Sequence, residues 1–592
     1  MRSAPGAGDG VSSSLHRALA DHRAGRLQQA HQAYHAILRQ APGHPDARYL
    51  AGVLASQRGI LQEAIEHFGI CLGARPDHVE ARFAMANALQ GLGRTAEAVP
   101  CYEAVLDKQP GNIAALNNLA VAQLSLGRPE AAASACRQAI NAAPDYVPAR
   151  NNFGVACLGF HDYEVAELAF RRALCLKPDD GDATKGLGDA RHALGRPGEA
   201  ADAYTRALVV RPGDPGLFYS LGMARRDMGD TSGALAAWRE TRALQPGHDR
   251  AHAQIALLHL ASGDIASANQ ALFEQVEAQR APENLGDQQA ETFRIAGATK
   301  LRHDAEQWRH LIAKGHLHER FSAIAEEAEA IADTLSEGET TDLARRDPPV
   351  SSNFRTAFNR LHYLAPAPEI AGGALNPALP VTEIQRAYAE DGMLAARIDD
   401  LLNPEAHASL LRFCRKSTIW FQTKFAREVG SRFAEGLCCP LILQIATDLQ
   451  RVLPEILDGL TLRTVFGYMY YQDGEAGHLH ADQGLVGDRR TVTLNYWLTP
   501  EEANAEPDSG GLWICDKQAP PAYFHTSDDR EKGAILKGLI ADPDTRWDYV
   551  PYAGNRAMLF QADVLHKSDW MRFKDGLDNR RISLTFIFGA LL

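Results

Sequence analysis

Proline recurs at Pro42, Pro76, Pro110, Pro144, Pro178, Pro212 and Pro246, an even spacing kept without a slip through seven units. Two registers of small residues share the period. One runs Ala18, Gly52, Ala86, Ala120, Gly154, Gly188, Gly222 and Ala256; the other runs Ala30, Ala64, Ala98, Ala132, Ala166, Ala200, Ala234 and Ala268. Gly25, Gly59, Gly93, Gly127, Gly195, Gly229 and Gly263 stand between them, and His161 breaks that glycine register once. Each unit therefore reads as two helices. Glycine ends the first in a left-handed turn, small residues let the pair approach closely, and proline closes the second.

A helix-turn-helix unit with these features resembles the tetratricopeptide repeat, whose length of about 34 residues is also the spacing of the prolines. The resemblance covers residues 13–272, after a flexible N-terminus at 1–12. It implies an all-α superhelix, because one unit cannot bury its apolar face alone and neighbours must stack. The concave groove of such an array is the expected site for a protein or peptide partner. Asn118 and Asn152 stand two residues before the small residue of successive units, where a groove-facing amide could hold a peptide backbone. Ala84, Gly186 and Ser220 occupy the equivalent places, so solvated helix polar groups are the alternative reading.

At 592 residues the chain needs more than one core. A net charge of -13 excludes broad binding to a phosphate backbone, so no nucleic acid is expected as a partner. No window is apolar enough to span a membrane, and MRSAPGAGDGVSSS lacks the apolar core of a secretory signal, which together predict a cytoplasmic protein. Nine scattered cysteines read as reduced, mostly buried thiols.

Beyond the repeats, a helical extension is expected over 273–345, with Leu301, Ala305, Trp308, Leu311 and Ile312 on one face. His303, Asp304 and Gln307 on the same segment read as surface or interhelix hydrogen-bonding groups. A stretch rich in Pro and Gly at 346–389 reads as a linker or an irregular docking segment. The last domain, 390–592, opens with a short strand in MLAARIDDLL and an amphipathic helix capped by Asn403.

After residue 461 short apolar runs alternate with turn residues, as in TVFGYMYY, RTVTLNYWL, GLWIC, RAMLFQA and RISLTFIF, which predicts a β-sandwich or barrel. His480 and Asp482 lie two apart, so on a strand both face one way and can grip one ion. His566, well downstream of Asp482 and just after an apolar strand, is the best-placed third ligand. Two imidazoles and one carboxylate on one face of an octahedral ion suit iron(II) with open positions. His478 would face the same way, which leaves a three-neighbour zinc site as the rival reading. A cation, Arg581, follows soon after His566. It shares the polar face of a strand with Ser583 and Thr585, whereas Arg580 falls on the other face with Ile582, Leu584, Phe586 and Phe588. A guanidinium beside a hydroxyl suits a carboxylate. Asn495 and Trp497 are cavity or core residues on this reading, and Pro507 to Gly511 a tight turn.

These motifs resemble the 2-oxoglutarate and iron(II)-dependent oxygenases of the prolyl-hydroxylase-like superfamily. HADQG, TLNYWLTPEEAN, PDSGGLWICD, NRAMLFQADVLHKSD and NRRISLTFIFG are similar, more narrowly, to bacterial proteins that carry such a domain behind tetratricopeptide repeats. The resemblance implies a double-stranded β-helix (jelly-roll) with flanking helices. It implies iron(II) on His480, Asp482 and His566, and 2-oxoglutarate on Arg581 and Ser583, with Tyr470 or Tyr471 beside it. Dioxygen is the co-oxidant and ascorbate a candidate auxiliary reductant. Asp482, where halogenating relatives have a small residue, implies hydroxylation. Three functions remain open: a hydroxylase acting on a polypeptide recruited by the repeats, a small-molecule oxygenase whose repeats serve assembly, and a non-catalytic interaction scaffold.

Overall fold

Sixteen helices occupy Ala7 to Arg280, and after the first they alternate between 13 and 14 residues until the last, of 16. The first begins at Ala7, so the segment expected to be a flexible N-terminus is helical from that point. The computed structural model describes residues 7–280, 294–336, 338–390, 395–424, 428–470, 474–475, 479–482, 491–525 and 529–590. The chain forms two compact units, Met1–Ala237 and Trp238–Leu592, and the division falls inside helix Thr231–Leu244. No helix among the described residues is long and apolar enough to cross a membrane.

In the first unit the turn glycines all have positive φ, such as 77° at Gly59 and 70° at Gly195, and His161 adopts the same left-handed geometry at 65°. The residue two past the proline often caps the next helix. Asn112, Asp180 and Asp214 accept a backbone N–H through a carboxyl or amide oxygen, and His44 and His78 do so through Nδ1. The small-residue notches are filled by rings four positions after the second-register alanines. Tyr34, Phe68, Tyr102, Phe170 and Tyr204 are buried there, with Cys136 once in their place. A Cβ on Gly52 would stand 2.6 Å from the Phe68 ring, and one on Gly188 2.6 Å from Tyr204. Asn118 and Asn152 donate at 2.9 Å to Asn87 and Asn117 of the preceding repeat, so both amides are used between repeats.

In the second unit, helices Ala298–Ala313 and Phe321–Ala332 share a core with Phe354 and Phe358. Two short strands, β1 (Ile295–Gly297) and β2 (Thr340–Asp342), pair across this hairpin. His303, Asp304 and Gln307 are buried, and Gln307 donates to the carbonyls of Arg415 and Ser417. The Pro- and Gly-rich stretch is docked. The backbone of Ile370 exchanges two hydrogen bonds with the Gln444 side chain, and Ala374 N–H donates to Asp448, both on helix Pro440–Val452. Asn403 caps helix Pro404–Lys416 by accepting from Ala406 N–H at 2.9 Å. All nine cysteines are free, and seven are buried.

Twelve further strands follow: β3 (Ala395–Ile398), β4 (Gln422–Lys424), β5 (Glu428–Arg432), β6 (Leu460–Tyr470), β7 (Gly474–Glu475), β8 (Val492–Trp497), β9 (Leu512–Gln518), β10 (Trp547–Val550), β11 (Arg556–Gln561), β12 (Val564–Ser568), β13 (Trp570–Met571) and β14 (Ile582–Ala590). A seven-stranded antiparallel sheet has the order β3-β11-β8-β14-β6-β5-β4, and a smaller one the order β10-β9-β12. One face of the large sheet is apolar, with Leu494, Leu584, Phe586 and Phe588 buried. On the other face, Trp497, Met558 and Phe560 pack with Leu512, Ile514, Val550 and Val564 of the small sheet. The candidate site lies between these inner faces.

Candidate functional site

His480 and His566 are joined by a two-way backbone bridge: His480 N–H donates to the His566 carbonyl at 3.0 Å, and His566 N–H donates back at 2.9 Å. The His480-Ala481-Asp482 segment is thereby fastened beside β12. Alternation turns residues 480 and 482 one way, while Ala481 packs outward with Cys515, Tyr523 and Leu565. Ligand atoms of His480, Asp482 and His566 all lie within 4.8 Å of one another. The two imidazole rings stand 4.4 Å apart. Each Nε2 lies 3.9 Å from an Asp482 oxygen, too far for a direct hydrogen bond.

The His566 tautomer can be read from its surroundings. Its Nδ1 is 3.0 Å from the Val564 carbonyl, which only accepts, so Nδ1 carries a proton and Nε2 is the nitrogen turned toward Asp482. Asp482 Oδ2, on the receiving side, is buried with no hydrogen-bond partner among the described residues. With the imidazole in the neutral form that ligates a metal, Nε2 and Oδ2 face each other as two acceptors, which a cation between them would join. The backbone hydrogen bond behind His566 is also the usual way a metal-bound imidazole is oriented. The donor set fits a divalent metal. Phe560 packs its ring 4.7 Å from His566 and helps to exclude water.

Arg581, just before β14, is 1% exposed. It forms no ion pair among the described residues; its Nη1 reaches only Met571 Sδ, at 3.6 Å, and its Nε is buried without a partner. Its guanidinium lies 5.0 Å from the Tyr470 ring centroid, 5.7 Å from Tyr552 and 6.0 Å from Trp497. Aromatic faces attract the cation but do not neutralise it, and a buried unpaired charge costs several kcal/mol. The surroundings of Arg581 therefore suit an anion. Burial holds the Tyr470 phenol well above its ordinary range; Glu428 adds to this effect and Arg581 opposes it. The phenol stays protonated, next to Ser583. Across the β8–β14 ladder Ser583 faces Trp497 and Thr585 faces Asn495. Among the described residues, Trp497 Nε1 and Asn495 Oδ1 are also buried without hydrogen bonds. Trp497 is thus core, against Ile514 and Val564, with its ring also 6.0 Å from the Arg581 guanidinium.

The structure brings together His480, Asp482 and His566 as one group and Arg581, Ser583 and Tyr470 as another. Arg580 points elsewhere, its Nη2 lying 3.6 Å from Glu306. His478 and Tyr471 lie outside the described residues. The turn at Pro507 to Gly511 is tight, with Gly510 at φ 81° and Gly511 pressed against the Val550 carbonyl. Tyr552, Met571 and Phe560 are not anticipated from sequence. Nothing in the local pattern marks them, because each is brought to the site by long-range packing, Phe560 and Met571 from paired strands and Tyr552 from the loop before β11.

Comparison with known proteins bears on the repeats. Residues 15–79, 83–147, 153–215 and 219–284 match the tetratricopeptide repeat family, so the chain carries these repeats from 15 to 284. Similar solved structures include a tetratricopeptide repeat protein from Parabacteroides merdae, at 17% identity over 40% of this chain and 93% of that one, with a TM-score of 0.34. YrrB, described as a TPR protein with an unusual peptide-binding site, is similar at 18% identity over 32% and 96%, with a TM-score of 0.27. MamA from Desulfovibrio magneticus is similar at 19% identity over 29% and 97%, with a TM-score of 0.27. No curated protein matches the chain.

Proposed function

We propose that the C-terminal unit is a non-haem iron(II), 2-oxoglutarate-dependent oxygenase that hydroxylates a polypeptide recruited by the tetratricopeptide repeats. The observation that carries the reading is the pair of opposed, buried acceptors, His566 Nε2 and Asp482 Oδ2, with His480 completing a facial set of two imidazoles and a carboxylate. The unpaired guanidinium of Arg581 supports it from the other end, as a seat for the far carboxylate of 2-oxoglutarate. On this reading the two sheets form a double-stranded β-helix. When bound, iron and 2-oxoglutarate supply the activation of dioxygen.

The chain's own residues bind and orient. Arg581, Ser583 and the protonated Tyr470 hold a carboxylate by charge-assisted and neutral hydrogen bonds. Phe560, Trp497 and Tyr552 keep water from the site, and the Val564 carbonyl fixes the His566 ring. The test is oxygen-dependent succinate formation from 2-oxoglutarate by the full chain with iron(II). Loss of that turnover in Asp482→Ala is expected, and absence of turnover in wild type under all conditions opposes the reading.

The second reading is a scaffold without turnover. It rests on the repeats, whose stacked helices offer an extended binding surface whatever the C-terminal unit does. A small-molecule oxygenase is the third. Capture of a polypeptide whose mass rises by one oxygen after incubation distinguishes the first reading from both.

A further inference from the structure

The first two repeats assemble a separate set of metal-ligating side chains. His31 and His35 stand one turn apart on helix Leu27–Gln40, so both imidazoles project from one side, with ring centroids 4.2 Å apart. Glu63 lies in the first turn of helix Leu61–Ala74 in the next repeat. Ligand atoms of the three lie within 4.8 Å of one another. His35 Nε2 is 3.9 Å from Glu63 Oε1, beyond hydrogen-bond range.

Behind Glu63 stands the buried imidazole of His67, its Nε2 3.6 Å from the same oxygen. Arg48 can only donate, so its 3.1 Å contact with His67 Nδ1 makes that nitrogen an acceptor and leaves the proton on Nε2, facing Glu63. At 3.6 Å the pair stands just outside hydrogen-bond range, and closing that gap would give Glu63 the outer support that is a regular part of metal sites. His31 and His35 themselves are only partly buried, so a metal and its water can reach them.

We propose that His31, His35 and Glu63 bind a divalent transition-metal ion of the zinc class, clamping the first repeat to the second, with His67 as the positioning residue for Glu63. Two imidazoles and one carboxylate match zinc's ligand preference and leave its fourth position to water. Bonds of about 2.0–2.1 Å draw tetrahedral ligands to roughly 3.4 Å apart. The side chains of His35 and Glu63, 43% and 32% exposed, can rotate to close that gap. Arg58 stands close enough to His31 to act on it electrostatically. Arg58 weakens the site by repulsion, and the Glu63 carboxylate offsets it.

The test measures zinc per full-length chain after equilibration and desalting, in an Asp482→Ala background that removes the C-terminal ligand set. The background carries one equivalent, and adding His31→Ala with His35→Ala abolishes it while the circular dichroism spectrum stays unchanged. Glu63→Gln, nearly the same shape, also abolishes it. Zinc raises the melting temperature of the background and not of the further variants. His67→Ala keeps the stoichiometry but weakens binding by roughly ten- to a hundredfold. Equal zinc content with and without His31 and His35 overturns the site, and unchanged affinity in His67→Ala removes His67 from it. Neither result depends on whether the C-terminal unit is an oxygenase.

Discussion

Arg581→Lys keeps the charge but loses the planar fork that meets a carboxylate with two hydrogen bonds. One charge-assisted bond is worth about 1.5–3 kcal/mol, so the 2-oxoglutarate concentration giving half-maximal succinate formation rises roughly ten- to a hundredfold. Bound iron is unchanged. Arg580→Lys is the control, since Arg580 faces Glu306 and leaves both quantities near wild type; the reverse pattern places the wrong arginine in the site. A second substitution tests repeat packing. The Phe170 ring is held between Gly154 and Gly186, where a Cβ on either glycine would overlap it. Gly186→Ala therefore destabilises by about 1–3 kcal/mol from overpacking, less up to about 1 kcal/mol from better helix propensity. Phe170→Leu in the same chain recovers most of the loss; urea midpoints report both. Much at this scale is legible in sequence, because the two-residue spacing of His480 and Asp482, and of Arg581 and Ser583, turns each pair one way along extended backbone, which is local. Tyr552 and Phe560 are not, since only the β8–β11 pairing and the facing sheet bring them in.

Among the elements, the repeats are readable from their period, yet where they end as a packing unit is not. Helices Asp249–Ala261 and Ile265–Arg280 belong with the C-terminal unit and contact β6 and helix Pro440–Val452 there. Leu272 and Val276 are buried on the last helix. Periodicity marks the helices but carries no information on which neighbour covers them. A fragment of residues 1–230 should thus melt cooperatively as a helical protein and bind little of a hydrophobic dye. A fragment of 1–280 should bind more, and equal dye binding contradicts the assignment. Acid acts on the second unit through several imidazoles. His303, His362 and His407 are all held below the ordinary value of 6.5, in each case chiefly by burial. Unfolding frees them to take up protons as pH falls through about 6.5, so the unfolded state gains protons and stability drops from pH 7.5 to 5.5. The urea midpoint of the second transition moves down over that range; a flat or rising midpoint contradicts the sign.

On the proposed reading, one chain carries both a protein-binding array and a metal-dependent oxidation site. Residues 1–280 should capture the polypeptide that the full chain oxidises, and capture only by residues 294–592 would separate recruitment from the repeats. The central claim concerns the C-terminal cavity, and it can be tested without knowing the substrate. The measurement is an anaerobic titration of the full chain with iron(II) and 2-oxoglutarate, following the visible charge-transfer band that arises when a 2-oxo acid chelates iron(II). The band should appear with one equivalent of iron. It should be lost in His566→Ala and Asp482→Ala, and should require roughly ten- to a hundredfold more 2-oxoglutarate in Arg581→Lys. No band in the wild-type chain, or an undiminished band in His566→Ala, would contradict the account.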